Sequence, residues 1–179
     1  MSYIKINRHG LAFLKNKFSD NKMNSEYISL LYSHRYLNDD KDVEIFDGSL
    51  KKIGESSILS DGEIESLFSV FEDDSPRQDV LWGVLHVIES LPSKQWIGVF
   101  VSVIPSLVTR APEWSDTITA RILNGAQSRN LFSNAISSLP ESRNAILPIL
   151  RDFAGEKNPN LQKLRSISLG VIRDIENMM

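Results

Sequence analysis

The sequence predicts an all-α fold of about ten helices, and three observations support this prediction. Apolar residues recur every three or four positions through most of the chain, which is the period of an amphipathic helix. Serine, asparagine and proline stand where such helices would begin. Only the segment 96–105 has the β-branched composition of a strand, and no second such segment exists to pair with it.

Length and composition bound the class of protein. A chain of 179 residues with 41% hydrophobic and 24% charged side chains suits one globular domain. Because the chain has no cysteine, neither a disulfide nor a thiolate metal site can form. The amino terminus lacks the apolar core of a signal peptide, and no run reaches the roughly 18 apolar residues of a membrane span. We therefore expect a soluble cytoplasmic protein with no membrane partner.

The net charge of −3 is unevenly distributed along the chain. Residues 1–75 hold 9 Lys/Arg against 14 Asp/Glu, and residues 76–179 hold 11 against 9. The first part is therefore acidic and the rest slightly basic. An acidic half favours a basic protein partner over nucleic acid, which binds to basic faces. The alternative interpretation is that these acids are solvated turns and helix starts.

The first third of the chain contains two predicted helices after a lead-in. Residues 1–10 form the lead-in, and residues 11–18 carry a short apolar pattern. A helix is predicted from Asn24 to about Tyr36, with the Tyr36 ring facing inward. The acids of residues 38–42 break this helix and begin the next, where carboxylates complement the helix dipole.

Capping residues predict the helices that follow. Ser60 and Glu63 have the spacing of a capping box, and residues 72–74 form an acidic loop. Three residues predict the start of the following helix: Ser75 as a hydroxyl cap, Pro76 at the first helical position and Gln78, whose side-chain amide can bond back to the cap residue. Pro92 ends that helix, because the residue before a proline is disfavoured in helical conformation.

The helix over residues 79–91 has one apolar and one mixed face. At about 100° per residue, its apolar arc consists of Val80, Leu81, Val84, Leu85, Ile88 and Leu91. Its opposite arc consists of Asp79, Trp82, His86 and Glu89. His86 and Glu89 have the spacing of helical metal ligands, but the sequence offers no second such pair. We therefore expect a hydrogen-bonded polar patch, with no metal and no cofactor.

Residues 96–105 can be interpreted as a strand or as a helix. The alternation of Ile97, Val99, Val101 and Val103 favours a strand, whereas a helix buried on every side would have the same composition. The flanking segments are helical, so a helix is predicted, with a bend or break at Pro105.

Proline and glycine mark the remaining helices. Pro112 and Pro140 are predicted at first helical positions, Asn124–Gly125 as a left-handed stop, and Pro148 as a kink. Asn158 begins the last helix. The 36-residue spacing of prolines 76, 112 and 148 suits helix-pair repeats. The predicted architecture is therefore either stacked antiparallel helix pairs, HEAT-like, or an irregular bundle.

Several side chains have both a structural and a functional interpretation. Trp82 and Trp114 can fill the space between helices or serve as surface anchors for a partner. Glu89 and Arg121 can form a partly buried ion pair, which is more often structural than catalytic. No phosphate-binding loop or nucleophile motif occurs, so no catalytic residue is predicted.

The ordered motifs between residues 79 and 124 resemble those of the immunity protein 30 family. They run Asp79-Val-Leu-Trp-Gly-Val-Leu-His-Val-Ile-Glu, Ala111-Pro-Glu-Trp and Arg121-Ile-Leu-Asn. The resemblance assigns a family-like core to residues 79–124 and none to the acidic residues 1–75. It implies a single α-helical domain over 1–179, with scaffold roles for Asp79, Trp82, His86, Glu89, Trp114, Arg121 and Asn124.

The same resemblance implies a non-enzymatic bacterial protein that neutralises a toxin domain in a one-to-one complex. Many such toxins are nucleases of contact-dependent inhibition systems, and a nuclease is basic because it holds phosphates. The hypothesis places the toxin-binding surface on Asp39, Asp40, Asp42, Glu44, Glu72, Asp73 and Asp74. Two alternatives remain open at this point: a helical-repeat adaptor for another cellular protein, and an enzyme using His86, Glu89 or Arg121.

Overall fold

The computed structural model describes residues 23–56, 58–157 and 161–177, and helices fill most of these ranges. Nine helices and no strand occur there, which confirms the all-α prediction. Helix α1 covers residues 23–33. The others are α2 Asp40–Gly54, α3 Asp61–Phe68, α4 Gln78–Glu89, α5 Ser93–Arg110, α6 Pro112–Asn124, α7 Ala126–Ser137, α8 Pro140–Gly155 and α9 Gln162–Asn177. The predicted lead-in, the apolar pattern of 11–18 and the start at Asn158 lie outside the described residues.

The turn between α1 and α2 differs from the prediction. Helix α1 ends at residue 33, three residues earlier than expected. Leu37 then has a φ of 53°, the one left-handed non-glycine among the described residues. This conformation costs about 1–3 kcal/mol, and the complete burial of the Leu37 side chain offsets it. Leu37 takes the inward position, and Tyr36 is 40% exposed. The prediction of an inward Tyr36 was therefore wrong.

Side-chain caps begin α2 and α3 but not α4, and of the two predicted caps only the capping box of α3 is present. Asp39 accepts a hydrogen bond from the Asp42 amide at 2.8 Å, and Ser60 forms the complete capping box. Helix α4 begins at Gln78 after Arg77, which has no side-chain cap. The Ser75 hydroxyl instead donates to the Tyr36 carbonyl at 3.2 Å. The predicted cap at Ser75 and the first-position role of Pro76 were wrong.

Helix α5 is the central element of the fold. It packs against α3, α4, α6, α7 and α8. Its Phe100 is fully buried, with ring centroids 5.6 Å from Phe68 and 6.2 Å from Phe132. Residues 96–105 are therefore helical, as predicted, and their apolar composition reflects burial on several sides. Pro105 lies inside the helix without interrupting it, so of the predicted bend or break the break does not occur.

The helices after α5 follow their proline signals but not their glycine signal. Pro112 and Pro140 occupy the predicted first-turn positions, and α8 continues through Pro148. Gly125 has a φ of −97°, so the predicted left-handed stop was wrong. The physical reason is that α7 begins at the next residue: Gly125 is extended and is the N-cap position of α7.

The helices are stacked, and most pack against helices that are adjacent or next but one in chain order. The pairs α5 with α8 and α6 with α9 extend beyond this neighbour pattern. Prolines 76, 112 and 148 lie in a loop, at a helix start and inside a helix, so their spacing does not mark equivalent positions of a repeat. Within the described ranges, no helix combines the length and apolar character that crossing a membrane requires.

Candidate protein-binding surface

The loop between α3 and α4 is fixed by a buried carboxylate. Glu72 is 6% exposed, and its Oε1 accepts a hydrogen bond from Arg35 Nε at 2.7 Å. Arg110 Nη1 lies 3.7 Å from the same oxygen. A buried carboxylate without cationic partners would be strongly destabilising. The two arginines therefore fix the α1–α2 turn, the loop and α5 to one another.

Arg110 also satisfies the carboxyl-terminal end of α3. Its guanidinium donates to the carbonyls of Ser69 at 2.9 Å and Phe68 at 3.2 Å, and to the Phe71 carbonyl. The last carbonyls of a helix have no partner within the helix. The end of α5 therefore replaces the hydrogen bonds that α3 lacks.

Asp73 caps α6 from a distant part of the chain. Its two oxygens accept from the Glu113 amide at 2.8 Å and the Trp114 amide at 3.2 Å. The N-cap residue of α6 itself, Ala111, has no side-chain acceptor. A carboxylate at this helix start satisfies free N–H groups and complements the helix dipole.

Gln78 joins the same loop to α6. Its Nε2 lies within hydrogen-bond distance of the carbonyls of Glu72 at 2.9 Å, Asp73 at 2.6 Å and Ser75 at 3.2 Å. Its Oε1 accepts from Trp114 Nε1 at 2.8 Å. Gln78 therefore connects the α3–α4 loop to α6. We call the set Arg35, Glu72, Asp73, Gln78, Arg110 and Trp114 the polar network.

Trp82 and Trp114 have different environments. Trp114 is 4% exposed and packs on Phe71, with ring centroids 4.6 Å apart, so it belongs to the core. Trp82 is 36% exposed and meets Trp114 edge-on at 5.4 Å. The guanidinium carbon of Arg121 lies 5.5 Å from the centre of the Trp82 ring. The core interpretation therefore holds for Trp114, and Trp82 lies at the surface.

Glu89 and Arg121 form the predicted ion pair between α4 and α6. Arg121 Nε and Nη2 donate to Glu89 Oε1 and Oε2, each at 2.6 Å. The hydrogen bond to Glu89 raises the pKa of Arg121. This two-bond geometry and the adjacent Trp82 ring indicate that Glu89 and Arg121 link α4 to α6.

The start of α2 carries a contact between a histidine and an aspartate. His34 Nδ1 and Asp42 Oδ1 are 2.7 Å apart, and the Asn38 amide donates to Asp42 Oδ2 at 3.0 Å. The hydrogen bond to His34, followed by those from Asn38, lowers the pKa of Asp42 despite the opposing effect of desolvation. Asp42 thus fixes the α1–α2 turn while one face of its carboxylate remains near solvent.

The seven acidic candidates divide into two groups. Glu72 and Asp73 belong to the polar network. The other five lie around the α1–α2 turn and the start of α4, and we call them the acidic surface: Asp39, Asp40, Asp42, Glu44 and Asp74. Asp39, Asp40, Glu44 and Asp74 are exposed. Arg77, three positions after Asp74, contacts the α2 part of this surface, because its Nη2 lies 2.7 Å from Asp40 Oδ1.

Another acidic group surrounds Asp116, an exposed residue of α6. Partial desolvation raises the pKa of Asp116, and the nearby charges of Asp152, Asp73 and Glu113 raise it further. No three histidine, aspartate or glutamate side chains within the described ranges are arranged to hold a metal ion. The remaining predicted motif residues, Asp79, His86 and Asn124, are exposed, and His86 lies 6.4 Å from the Trp82 ring.

Sequence reasoning did not find two members of the polar network, Arg35 and Arg110, and it gave Gln78 only a local capping role. Arg35 bonds to Glu72, 37 positions away, and Arg110 bonds to carbonyls 39 to 42 positions away. Helical spacing relates only residues three or four positions apart, so no periodic signal marks these two arginines or the bond between Gln78 and Trp114, 36 positions away.

The fold and the surface define an all-α protein whose polar network holds an acidic, partly aromatic face in place. The family model described as Immunity protein 30 matches residues 33–132, more than half of the chain, and this chain belongs to that family. Membership identifies an immunity protein directed against a toxin. No curated protein and no solved structure matches the chain.

The family match extends beyond the motifs of residues 79–124. It begins at residue 33 and takes in α2, α3 and the whole acidic surface. No motif of the first 75 residues carried the resemblance, although the matched range includes residues 33–75. The polar network gives a physical reason for that range, because Glu72 and Asp73 connect that region to α5 and α6.

Proposed function

We propose that this immunity protein binds the toxin domain of its own lineage and blocks it without catalysis or a cofactor. The toxin is a nuclease delivered by contact-dependent inhibition, and the complex is one-to-one in the cytoplasm of the producing cell. The acidic surface covers the nuclease active site or competes with its nucleic-acid substrate.

The observation that carries this proposal is the charge of the region that presents the acidic surface. Residues 23–75 contain 13 Asp/Glu against 4 Lys/Arg, and two of those four bases lie in the last turn of α2. A nuclease holds phosphates with basic side chains. Opposite charges accelerate association and oppose wrong partners, so this region is suited to capturing such a protein.

The direct test is co-expression with the toxin domain encoded beside this protein. We expect rescue of growth and a stable complex on size-exclusion chromatography. Recovery of growth without any complex would contradict inhibition by binding. A toxin domain from an unrelated lineage is the control, and we expect it to be neither bound nor neutralised.

Charge reversal tests the acidic surface. The variants Asp39→Lys, Glu44→Lys and Asp74→Lys should slow association with that toxin domain, more strongly at low salt, because exposed charges are screened over about 10 Å at 0.1 M salt. Stopped-flow association rates measure the effect. The matched control is Asp174→Lys on α9, outside the acidic surface. Equal rates for all four variants would remove the acidic surface from the binding site.

A further inference from the structure

Two exposed tyrosines flank one arginine at the end of α1. Tyr32 is 44% exposed and Tyr36 is 40% exposed. The guanidinium carbon of Arg35 lies 4.0 Å from the centre of the Tyr32 ring and 4.5 Å from that of Tyr36. One cation therefore holds both rings, and each ring leaves a large part of its surface to solvent.

Arg35 is itself fixed, so the two rings are held before any partner arrives. Its Nη1 donates to the Tyr32 carbonyl at 2.7 Å, its Nη2 to the Tyr36 hydroxyl at 3.3 Å, and its Nε to buried Glu72. Binding usually costs conformational entropy for each flexible side chain that it immobilises. Rigid aromatic side chains avoid most of this cost.

The backbone also favours this arrangement. The Ser75 hydroxyl donates to the carbonyl of Tyr36 at 3.2 Å, and left-handed Leu37 directs the chain into the core immediately afterwards. The strained residue directly follows Tyr36, whose ring is exposed while the side chain of Leu37 is buried. Strain of this kind accumulates at functional positions.

The surroundings specify the chemistry of the partner. Asp39 and Asp40 follow within four residues of Tyr36, and Asp42 pairs with His34 at the same turn. Carboxylates attract lysine and arginine side chains, and the faces of tyrosine rings attract the same cations. Large aromatic residues that are surrounded by polar contacts are the common energetic centres of protein interfaces.

We infer that Tyr32 and Tyr36 are the aromatic anchor of the toxin-binding surface, receiving basic side chains of the toxin. This inference rests on the proposed function. It assigns the binding affinity to the two tyrosine rings and the fast association to the acidic surface. The two contributions are separable: loss of a ring increases dissociation, whereas loss of an exposed carboxylate slows association.

The test measures binding of the neighbouring toxin domain to purified variants by titration calorimetry and surface plasmon resonance. Tyr32→Ala and Tyr36→Ala should each weaken the Kd at least about tenfold, mainly through faster dissociation. Tyr32→Phe and Tyr36→Phe keep the rings and should bind within about threefold of the wild type. The matched control is Leu169→Ala, which removes a side chain that is 48% exposed on α9, and it should bind as the wild type does.

Hydrogen exchange on the wild-type complex covers the case in which an alanine variant loses its fold. Backbone amides of residues 30–42 should exchange more slowly in the complex, while those of α9 should not change. If the wild type binds and both folded alanine variants bind with undiminished affinity, the anchor is overturned and the proposed function stands. The same conclusion follows if the wild type binds but exchange at residues 30–42 does not change. Failure of the wild type to bind would instead overturn the proposed function, and the anchor with it.

Discussion

Asp73 connects two parts of the chain that are 40 positions apart, and its removal measures the value of that connection. Asp73→Ala leaves the Glu113 and Trp114 amides without their acceptor, and we expect a loss of about 1–2 kcal/mol in the free energy of unfolding, as for other helix caps. Urea denaturation provides the measurement. The neighbour Asp74 is exposed, so Asp74→Ala should change stability by less than about 0.5 kcal/mol. Equal losses would show that Asp73 is not a cap.

Asp116 provides a prediction about pH. Its folded-state pKa is raised by partial desolvation and by Asp152, Asp73 and Glu113, so the folded protein binds this proton more tightly than the unfolded chain does. Its contribution to stability therefore falls as pH rises from the ordinary aspartate pKa through the raised value. Above that window, Asp116→Asn should unfold at a higher temperature than the wild type.

The advantage of Asp116→Asn should shrink as pH is lowered through the same window, because the wild-type carboxyl then becomes neutral. Thermal unfolding between about pH 3 and 7 measures this change. Asp174→Asn on α9 is the control for the loss of one charge, and it should show no such convergence. A constant difference between Asp116→Asn and the wild type at every pH would contradict the assignment.

Helices α4 and α6 meet through long side chains, namely the Trp82–Trp114 contact and the Glu89–Arg121 pair. A double-mutant cycle with Glu89→Gln and Arg121→Gln should give a coupling free energy of about 0.5–1 kcal/mol. This value is at the upper end for partly exposed ion pairs because Arg121 Nε and Nη2 each have a well-placed acceptor. Denaturant unfolding of the four proteins measures it, and zero coupling would mean that the contact does not stabilise the fold.

The sequence predicts those helix starts that depend on residues close together in the chain. Ser60 and Glu63 are three positions apart, and Pro112 stands directly at the helix that it begins, so both starts were predictable. Gln78 looked like a local capping residue, but its amide binds Trp114, 36 positions away. Leu37 carries no turn signal in the sequence, and its left-handed backbone accompanies complete burial of its side chain.

The same limit applies to the surface. Charge counts identified the acidic candidates, but they could not separate exposed Asp74 from buried Glu72, which occupy the same short loop. The exposure of Tyr36 depends on the burial of the next residue. Ion pairing between Glu89 and Arg121 was predictable because each lies on the polar face of its own helix, once α4 and α6 are assumed to stack.

At the scale of the whole molecule, the central position of α5 predicts that the described helices unfold together. All three tryptophans lie in α4, α5 and α6, whereas far-ultraviolet circular dichroism reports every helix. We expect both signals to change with one midpoint and one slope in urea, as for a two-state domain. Two separated transitions would instead divide the chain into independent units.

The contacts of Arg110 and Trp114 determine when this molecule becomes useful during its own synthesis. A chain is made from its amino terminus, so the acids up to Asp74 are made before Arg110 and Trp114, which hold the α3–α4 loop. A nascent chain interrupted between those points would have the full set of charges without the contacts that hold this loop. Under the proposed function, a truncated product gives the cell no protection, and translation must pass α6 before immunity begins.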